Sequence, residues 1–288
     1  MNNNKKILLL GSNGLLGSTL KNIIEKKNNT LTTIARKHAD YKFDLKDFRQ
    51  LKKVISANSY DVVINCAAYI NFEFCEKNKK KIFLINALLP KYLSNLSKLY
   101  AFKLIHISSD AIYTSTTKNK INTENAKTGH VNAYAKSKFY AEKYCKKYKK
   151  NLIIRTNFVD YNQKSFIHWA YKKLKDEKQL ILYNDMFTST LDVKYCSNII
   201  LQMIENNLSG TYNLGSKDSI SKKDFIVKLA KVLGHNCNFL ETSVKANKIK
   251  KSCNLGLNVY KIEKKLNINM KDSKSVISTI AKNVRSRN

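Results

Sequence analysis

Three glycines mark the junction between a short apolar run and an amphipathic segment near the start of the chain, and this arrangement constrains the fold most strongly. The apolar run covers residues 7–10 and the amphipathic segment covers residues 15–27. A strand followed by a tight glycine turn and a helix is the opening unit of a dinucleotide-binding fold. The free N–H groups at such a helix N-terminus bind phosphate. We therefore expect the following residues to hold a dinucleotide pyrophosphate: Gly11, Asn13, Gly14, Leu15, Leu16 and Gly17.

Short apolar runs, often β-branched, alternate with helix-like segments through the first half of the chain. The runs cover residues 7–10, 30–35, 62–65, 104–108 and 152–154, and the helix-like segments cover residues 15–27, 47–57, 80–99 and 133–149. Such alternation predicts an α/β fold with a Rossmann-type, doubly wound parallel sheet. Because the alternation weakens after Arg155, we expect a nucleotide-binding domain over residues 1–155. Residues 156–288 would form a smaller C-terminal substrate-binding lobe, with some segments returning to the sheet.

An excess of basic residues is the strongest compositional bias. The 288 residues include 53 Lys and Arg against 21 Asp and Glu, which gives a net charge of +32. The lysines are scattered, and no zinc-finger or helix-turn-helix pattern accompanies them, so we expect no specific nucleic-acid partner. A field of this sign would attract an anionic substrate or cofactor.

The sequence predicts neither a membrane segment nor a metal site. No apolar run approaches the ~18–20 residues that a membrane-spanning helix needs, and the first run is too short for a signal peptide. We therefore expect a cytoplasmic protein. For its assembly we expect a monomer or a homodimer. The six cysteines include no C-x-x-C pair, and the five histidines lack metal-ligand spacing.

A tyrosine and a lysine four residues apart begin another predicted helix. Tyr134 and Lys138 would share one helix face. A phenol with a pKa of ~10 is a poor acid–base group at neutral pH, and a neighbouring ammonium would bring this pKa closer to the working pH. Upstream, Ser109 ends a predicted strand and can donate a hydrogen bond to a carbonyl oxygen on which charge develops. We predict that these three residues are catalytic.

Basic residues at the end of the second predicted strand bear on the choice of cofactor. An acidic residue there would bind the ribose hydroxyls of NAD, whereas Arg36 and Lys37 can pair with the 2′-phosphate of NADP. We therefore expect NADPH as the cofactor, with NADH as the open alternative.

The order of these motifs resembles that of the extended short-chain dehydrogenases/reductases. Further stretches are similar to the dTDP-4-dehydrorhamnose reductases within that family, namely residues 69–76, 86–90, 108–110, 155–158 and 210–215. The resemblance implies NAD(P)H-dependent reduction of the 4-keto group of a nucleotide-linked deoxysugar, in dTDP-rhamnose biosynthesis. The partner of the protein would then be a nucleotide-sugar substrate.

The same resemblance implies roles for further residues. Tyr134 and Lys138 would also contact the cofactor, with Lys138 on the nicotinamide ribose. Asp44 and Leu45 stand at the family's adenine contact. The residues that would line the pyrophosphate and ribose are Ala67, Ala68 and Tyr69, and the candidate substrate contacts are Asp110 and Phe158.

Departures from the family pattern leave alternatives open. The family's stretch D-Q-x-G-x-P-T appears here as residues 185–191, with its Gln, Gly, Pro and final Thr replaced, so the sugar is not identified. The chain could be another extended reductase or an epimerase acting on a different nucleotide sugar. It could also be a non-catalytic, NADP-binding regulatory subunit of the same fold. A dehydratase is disfavoured because Ala111 follows Asp110 where related dehydratases carry a second carboxylate.

Overall fold

The computed structural model describes residues 4–27, 29–115, 121–162 and 165–287, which form two compact units. The first unit comprises Met1–Ile112, Asn132–Arg155 and Ser197–Tyr212, and the second comprises Tyr113–Val131, Thr156–Cys196 and Asn213–Asn288. One boundary between the units falls between Arg155 and Thr156.

A seven-stranded sheet confirms the predicted Rossmann-type architecture. Its strands are β1 (Lys6–Leu10), β2 (Thr30–Ala35), β3 (Tyr41–Lys42), β4 (Val62–Asn65), β5 (Lys103–Ile107), β6 (Leu152–Thr156) and β11 (Gly210–Leu214). The spatial order is β11-β6-β5-β4-β1-β2-β3, and β1 pairs in parallel with both β2 and β4. The strand order therefore reverses at β1, where open α/β sheets bind ligands beyond their carboxyl ends.

Helices cover the sheet, and the strands are correspondingly apolar. The helices are α1 (Leu15–Ile24), α2 (Phe48–Ser56), α3 (Phe72–Lys77), α4 (Lys79–Phe83), α5 (Leu89–Leu99), α6 (Ala133–Cys145) and α8 (Val193–Glu205). All four residues of β4 are buried, as expected for a parallel strand with both faces covered. One core cluster joins Leu8 and Leu104 of the sheet with Leu93 of α5.

The helix predicted over residues 80–99 is interrupted by a π-helical turn. This turn, Leu84–Leu88, lies between α4 and α5. Pro90 stands in the first turn of α5 and has no N–H to donate to the carbonyl four residues earlier. The wider turn carries the buried Asn86, and π-turns of this kind are frequent at functional sites.

The second unit contains small sheets and helices. Its elements are β7 (Phe158–Val159), α7 (Phe166–Lys175), β8 (Leu180–Tyr183), β9 (Phe187–Thr188), β10 (Leu191–Asp192), β12 (Ile220–Ser221), α9 (Lys222–Leu233), β13 (Phe239–Thr242), β14 (Asn254–Leu255), α10 (Tyr260–Leu266) and α11 (Ser273–Arg285). The small sheets pair β10 with β7, β13 with β8, and β9 with both β12 and β14.

The first residue of the divergent 185–191 stretch serves the fold of this unit. The Asp185 carboxylate accepts hydrogen bonds from the Ser243 hydroxyl and from the backbone N–H of Val244, the latter at 2.8 Å. The carboxylate therefore anchors a short 3₁₀ turn, Val244–Ala246.

Two kinds of feature are absent from the described ranges. Among these residues, no helix is both long and apolar enough to cross a membrane. Within the same part of the chain, no group of three or more His, Cys, Asp or Glu side chains could hold a metal ion.

Candidate active site

The glycine turn after β1 is so closely packed that side chains cannot replace its first and third glycines. Gly11 has a φ of +76°, and a Cβ built on it would lie 2.8 Å from the backbone nitrogen of Ala67. A Cβ on Gly17 would lie 2.2 Å from the carbonyl oxygen of Gly11. Gly14, the N-cap residue of α1, supplies no side-chain hydrogen bond to the helix. The helix N-terminus therefore presents backbone N–H groups suited to an anion.

Asn13 connects the glycine turn to the end of β2. Its Nδ2 donates to the carbonyl oxygen of Lys37 at 2.5 Å, while the Arg36 and Lys37 side chains are exposed. Burial raises the pKa of the Asp44 carboxyl, but hydrogen bonds from Lys46 and the charges of Lys46 and Arg36 outweigh this effect and lower the pKa overall. Arg36 and Asp44 thus lie close enough to interact. Leu45, which follows Asp44 in the sequence, is buried.

The loop after β4 is held by two asparagine side chains. The backbone N–H of Ala67 donates to Asn65 Oδ1 at 3.1 Å. The N–H of Tyr69 donates to Asn86 Oδ1 at 2.8 Å, and Asn86 Nδ2 donates to the carbonyl oxygen of Tyr69 at 2.9 Å. Ala67, Ala68 and Tyr69 are half-buried. Reasoning from the sequence missed the supporting role of Asn86. The feature that could have indicated this role is a single amide side chain within an apolar helical segment.

The structure brings Ser109, Asp110 and Tyr134 together. Ser109 Oγ donates to Asp110 Oδ1 at 3.1 Å and accepts from the N–H of Ala111 at 3.1 Å. The Tyr134 phenol lies close enough to the Ser109 hydroxyl for the serine to lower the pKa of the phenol, against the effect of burial. Because Asp110 is buried against Ser109, its carboxylate orients the serine, and its predicted contact with the substrate stays a prediction.

The start of α6 is anchored from two sides, which fixes the position of Tyr134. The N-cap residue Asn132 accepts a hydrogen bond from the N–H of Ala135 at 2.8 Å. Glu76 Oε1 accepts from the N–H of Ala133 at 2.6 Å. Both bonds satisfy N–H groups that a helix N-terminus leaves without intrahelical partners.

The ionisation of Tyr134 differs from our expectation. Burial raises the pKa of Tyr134 to about 12; the Ser109 hydroxyl opposes this rise, and the charges of Asp110 and Cys75 add to it. The expectation that Lys138 brings this pKa towards neutrality is therefore wrong for this arrangement. The lysine ammonium is engaged elsewhere, since its Nζ donates to the carbonyl oxygen of Ile107 at 2.5 Å. The phenol keeps its proton at working pH, which suits a proton donor.

Lys138 is buried on the same face of α6 as Tyr134. Burial lowers the pKa of Lys138 to about 8, and the neighbouring Glu142, Cys145 and Cys66 oppose this change. The lysine in turn contributes, after burial, to holding the pKa of His106 well below its ordinary value. Lys138 is thus an ammonium at neutral pH that can lose its proton under mildly alkaline conditions.

Phe158, the other predicted substrate contact, belongs to the second unit. It lies in β7, is half-buried, and pairs with Leu191 of β10. Its role with the substrate base stays a prediction.

The doubly wound sheet, the glycine turn and the Ser–Tyr–Lys group define a short-chain dehydrogenase/reductase of the extended class. Within that class, the chain belongs to the family described as the RmlD substrate binding domain, which matches residues 5–286. The predicted family resemblance is confirmed.

Individual relatives are distant in sequence and close in fold. The chain is 23% identical over 253 residues to the probable low-salt glycan biosynthesis reductase of Haloferax volcanii, covering 82% of this chain and 83% of that protein. A crystal structure of dTDP-4-dehydrorhamnose reductase from Bacillus anthracis in complex with NADP superimposes with a TM-score of 0.87 at 21% identity, covering 96% and 99% of the two chains. A crystal structure of a dTDP-4-dehydrorhamnose reductase from Clostridium acetobutylicum superimposes with a TM-score of 0.87 at 20% identity, covering 97% of this chain and 99% of that chain.

Proposed function

We propose that this protein is an NADPH-dependent reductase that converts the 4-keto group of a nucleotide-linked deoxysugar into a hydroxyl group. The observation that carries the proposal is the grouping of Ser109, Tyr134 and Lys138 where β5 meets α6, in the unit that also contains the glycine turn. Membership of the family supports the substrate class. The NADP complex of the Bacillus anthracis reductase supports the cofactor.

The residues at the glycine turn fit a dinucleotide. A Cβ at Gly11 or Gly17 would collide with backbone atoms, so the backbone there can approach a pyrophosphate closely. Ser12 Oγ is buried, and among the described residues it has no hydrogen-bond partner. A phosphate oxygen would satisfy such a hydroxyl. In this proposal Arg36 binds the 2′-phosphate, and the loop of residues 67–69 lines the ribose and pyrophosphate.

The side chains of the site divide the chemistry between them. NADPH supplies a hydride to the carbonyl carbon when it is bound. The Ser109 hydroxyl turns from Asp110 to donate a hydrogen bond to the keto oxygen, where negative charge develops. Tyr134 donates its phenolic proton to the same oxygen, which becomes the product hydroxyl, and the phenolate then regains a proton from solvent. Lys138 stays charged and would bind the nicotinamide ribose.

A substrate screen tests the proposal. Purified protein is mixed with NADPH and a panel of dTDP-linked and other nucleotide-linked 4-keto sugars, and NADPH consumption is followed by absorbance. We expect turnover with at least one 4-keto-6-deoxysugar, dTDP-4-dehydrorhamnose being the first candidate. Tight NADPH binding without turnover of any keto sugar would favour a non-catalytic role.

We expect Arg36→Asp to weaken NADPH binding and to leave NADH binding nearly unchanged. The loss of one charge-assisted phosphate contact costs about 1.5–3 kcal/mol, which corresponds to roughly tenfold or more in affinity. Lys26→Asp, at an exposed position after α1, changes the net charge equally and serves as the control. Equal affinities of the unmutated protein for NADPH and NADH would contradict the assignment.

We expect turnover to fall as the pH rises through about 8, the pKa of Lys138. Below this pH the lysine is an ammonium, and above it the lysine is neutral, whereas Tyr134, with its pKa of about 12, stays protonated throughout. The kcat profile should therefore show one alkaline limb. Lys138→Arg, whose guanidinium stays charged, should lose that limb even if its kcat is lower. A limb at the same pH in this variant would exclude Lys138 as its origin.

We also propose that the protein works in the cytoplasm, as a monomer or a homodimer, without a specific nucleic-acid partner. The scattered placement of the lysines in the sequence supports the last point, because a nucleic-acid site concentrates basic residues on one face.

A further inference from the structure

A buried carboxylate lies beneath the catalytic group and has no part in the chemistry described above. Glu142 follows Lys138 by one turn of α6 and is 2% exposed. Its Oε1 accepts a hydrogen bond from Ser108 Oγ at 2.7 Å. Arg155 of β6, 1% exposed, donates to both carboxylate oxygens, with Nε–Oε1 at 3.0 Å and NH2–Oε2 at 2.7 Å. This carboxylate thus joins β5, β6 and α6.

We propose that Glu142 is a positioning residue that holds the Ser109-bearing end of β5 and Lys138 of α6 in one arrangement. The inference rests on the proposed reductase function and extends it to a residue outside the catalytic group.

The geometry ties the serine of the site to this carboxylate through one backbone step. Ser108 immediately precedes Ser109, is itself buried, and donates its backbone N–H to the carbonyl oxygen of Ile154 at 2.7 Å. The side-chain bond to Glu142 therefore fixes the strand end from a second direction. A rigid support of this kind matters because a misplacement of about 1 Å can cost about 10²-fold in rate.

The spacing along α6 ties the lysine to the same carboxylate. Tyr134, Lys138 and Glu142 are separated by four residues each and so share one helix face. The Lys138 ammonium donates to the carbonyl oxygen of Ile107, the residue before Ser108. The end of β5 is therefore bonded to α6 at two points, through Ile107 to Lys138 and through Ser108 to Glu142.

Electrostatics support the geometry. Burial raises the pKa of Glu142, but the hydrogen bonds and charge of Arg155 outweigh this effect, so the pKa is lowered and the carboxylate stays ionised. Burial lowers the pKa of Lys138, and the negative charge of Glu142 is the largest influence that raises it again. The other ionisable groups facing Lys138 are Cys145 on its own helix, Cys66 after β4, and His106 on β5.

Two variants test the two halves of the proposal. Ser108→Ala removes the bond to Glu142 and should lower kcat by about tenfold to a hundredfold, with the KM values for NADPH and sugar nucleotide changed less than about twofold.

Glu142→Gln keeps an acceptor for Ser108 and removes the charge. This substitution should lower the pKa of Lys138 below about 8. The pKa is the midpoint of a pH titration followed by NMR of ¹³C-labelled lysine. The Lys138 signal is identified by its absence from the spectrum of Lys138→Arg.

Controls separate positioning from folding. Lys146→Met removes the outer, half-exposed ion pair with Glu142, 3.3 Å long, and should leave kcat within about twofold. Thermal unfolding is recorded for every variant. If Glu142→Gln does not fold because Arg155 loses its partner, Glu142→Gln/Arg155→Met removes both buried charges and takes its place.

The outcomes distinguish this inference from the proposed function. If the wild type reduces a keto sugar and folded Ser108→Ala matches its kcat, the positioning role is overturned while the reductase function stands. An unchanged Lys138 midpoint in the Glu142 variant would also overturn it. If the wild type reduces no keto sugar, the function fails, and the NMR titration alone decides whether Glu142 sets the state of Lys138.

Discussion

Tyr134→Phe should reduce turnover by about 10²–10⁴-fold, the usual contribution of a general acid, while NADPH binding stays close to that of the wild type. The substitution removes only the hydroxyl that donates the proton. The ring keeps its edge-on contact with Phe72, at 5.3 Å between centroids, so the packing around α6 is preserved. Single-turnover measurements with saturating NADPH give the rate, and fluorescence titration gives the cofactor affinity.

A matched variant on the same helix controls for this substitution. Tyr140 is half-buried on α6, and its ring packs edge-on against Phe83 at 5.6 Å. Tyr140→Phe should keep kcat within about twofold, since the phenol lies outside the catalytic group. Unchanged turnover in Tyr134→Phe would remove Tyr134 from the mechanism.

Ser109→Ala should reduce turnover by about 10²–10³-fold, the range found when a donor aimed at a developing oxyanion is removed. The variant also takes away the hydroxyl that opposes the raised pKa of Tyr134, so the phenol becomes a still weaker acid. Both effects act on the chemical step, and we expect little change in NADPH affinity. Ser56→Ala, at an exposed position of α2, is the control. A Ser109→Ala protein with wild-type kcat would exclude the serine from the reaction.

Much of the first unit follows from the pattern of apolar residues. The runs at residues 30–35 and 62–65 match the observed bounds of β2 and β4, because short runs rich in Val, Ile and Thr favour the strand conformation. Strand β3, by contrast, has two residues, Tyr41 and Lys42, which is too short for any periodicity. The π-helical turn before α5 was also not predicted, since periodicity gives one continuous helix there.

The proximity of Ser109 and Tyr134 could be predicted from the order of the motifs, but the ionisation of Tyr134 could not. Motif order brought Ser109 and Tyr134 to one site, as the structure places them. The pKa of Tyr134 depends on burial and on the position of the Lys138 ammonium, which are properties of the folded chain. Glu142 and Arg155 illustrate the same limit. In a sequence with 26% charged residues they resemble surface charges, and only the fold reveals a buried pair.

The position of one deuterium atom in the product tests the central claim most directly. The wild-type protein is incubated with a 4-keto-6-deoxysugar nucleotide and NADPH carrying deuterium at the transferred position, and the product is examined by NMR and mass spectrometry. A 4-keto reductase must yield a sugar with a hydroxyl and one deuterium at C4, together with an equal amount of oxidised cofactor. A product without deuterium at C4, or an altered sugar formed without net cofactor oxidation, would contradict the proposed reduction and point to epimerisation instead.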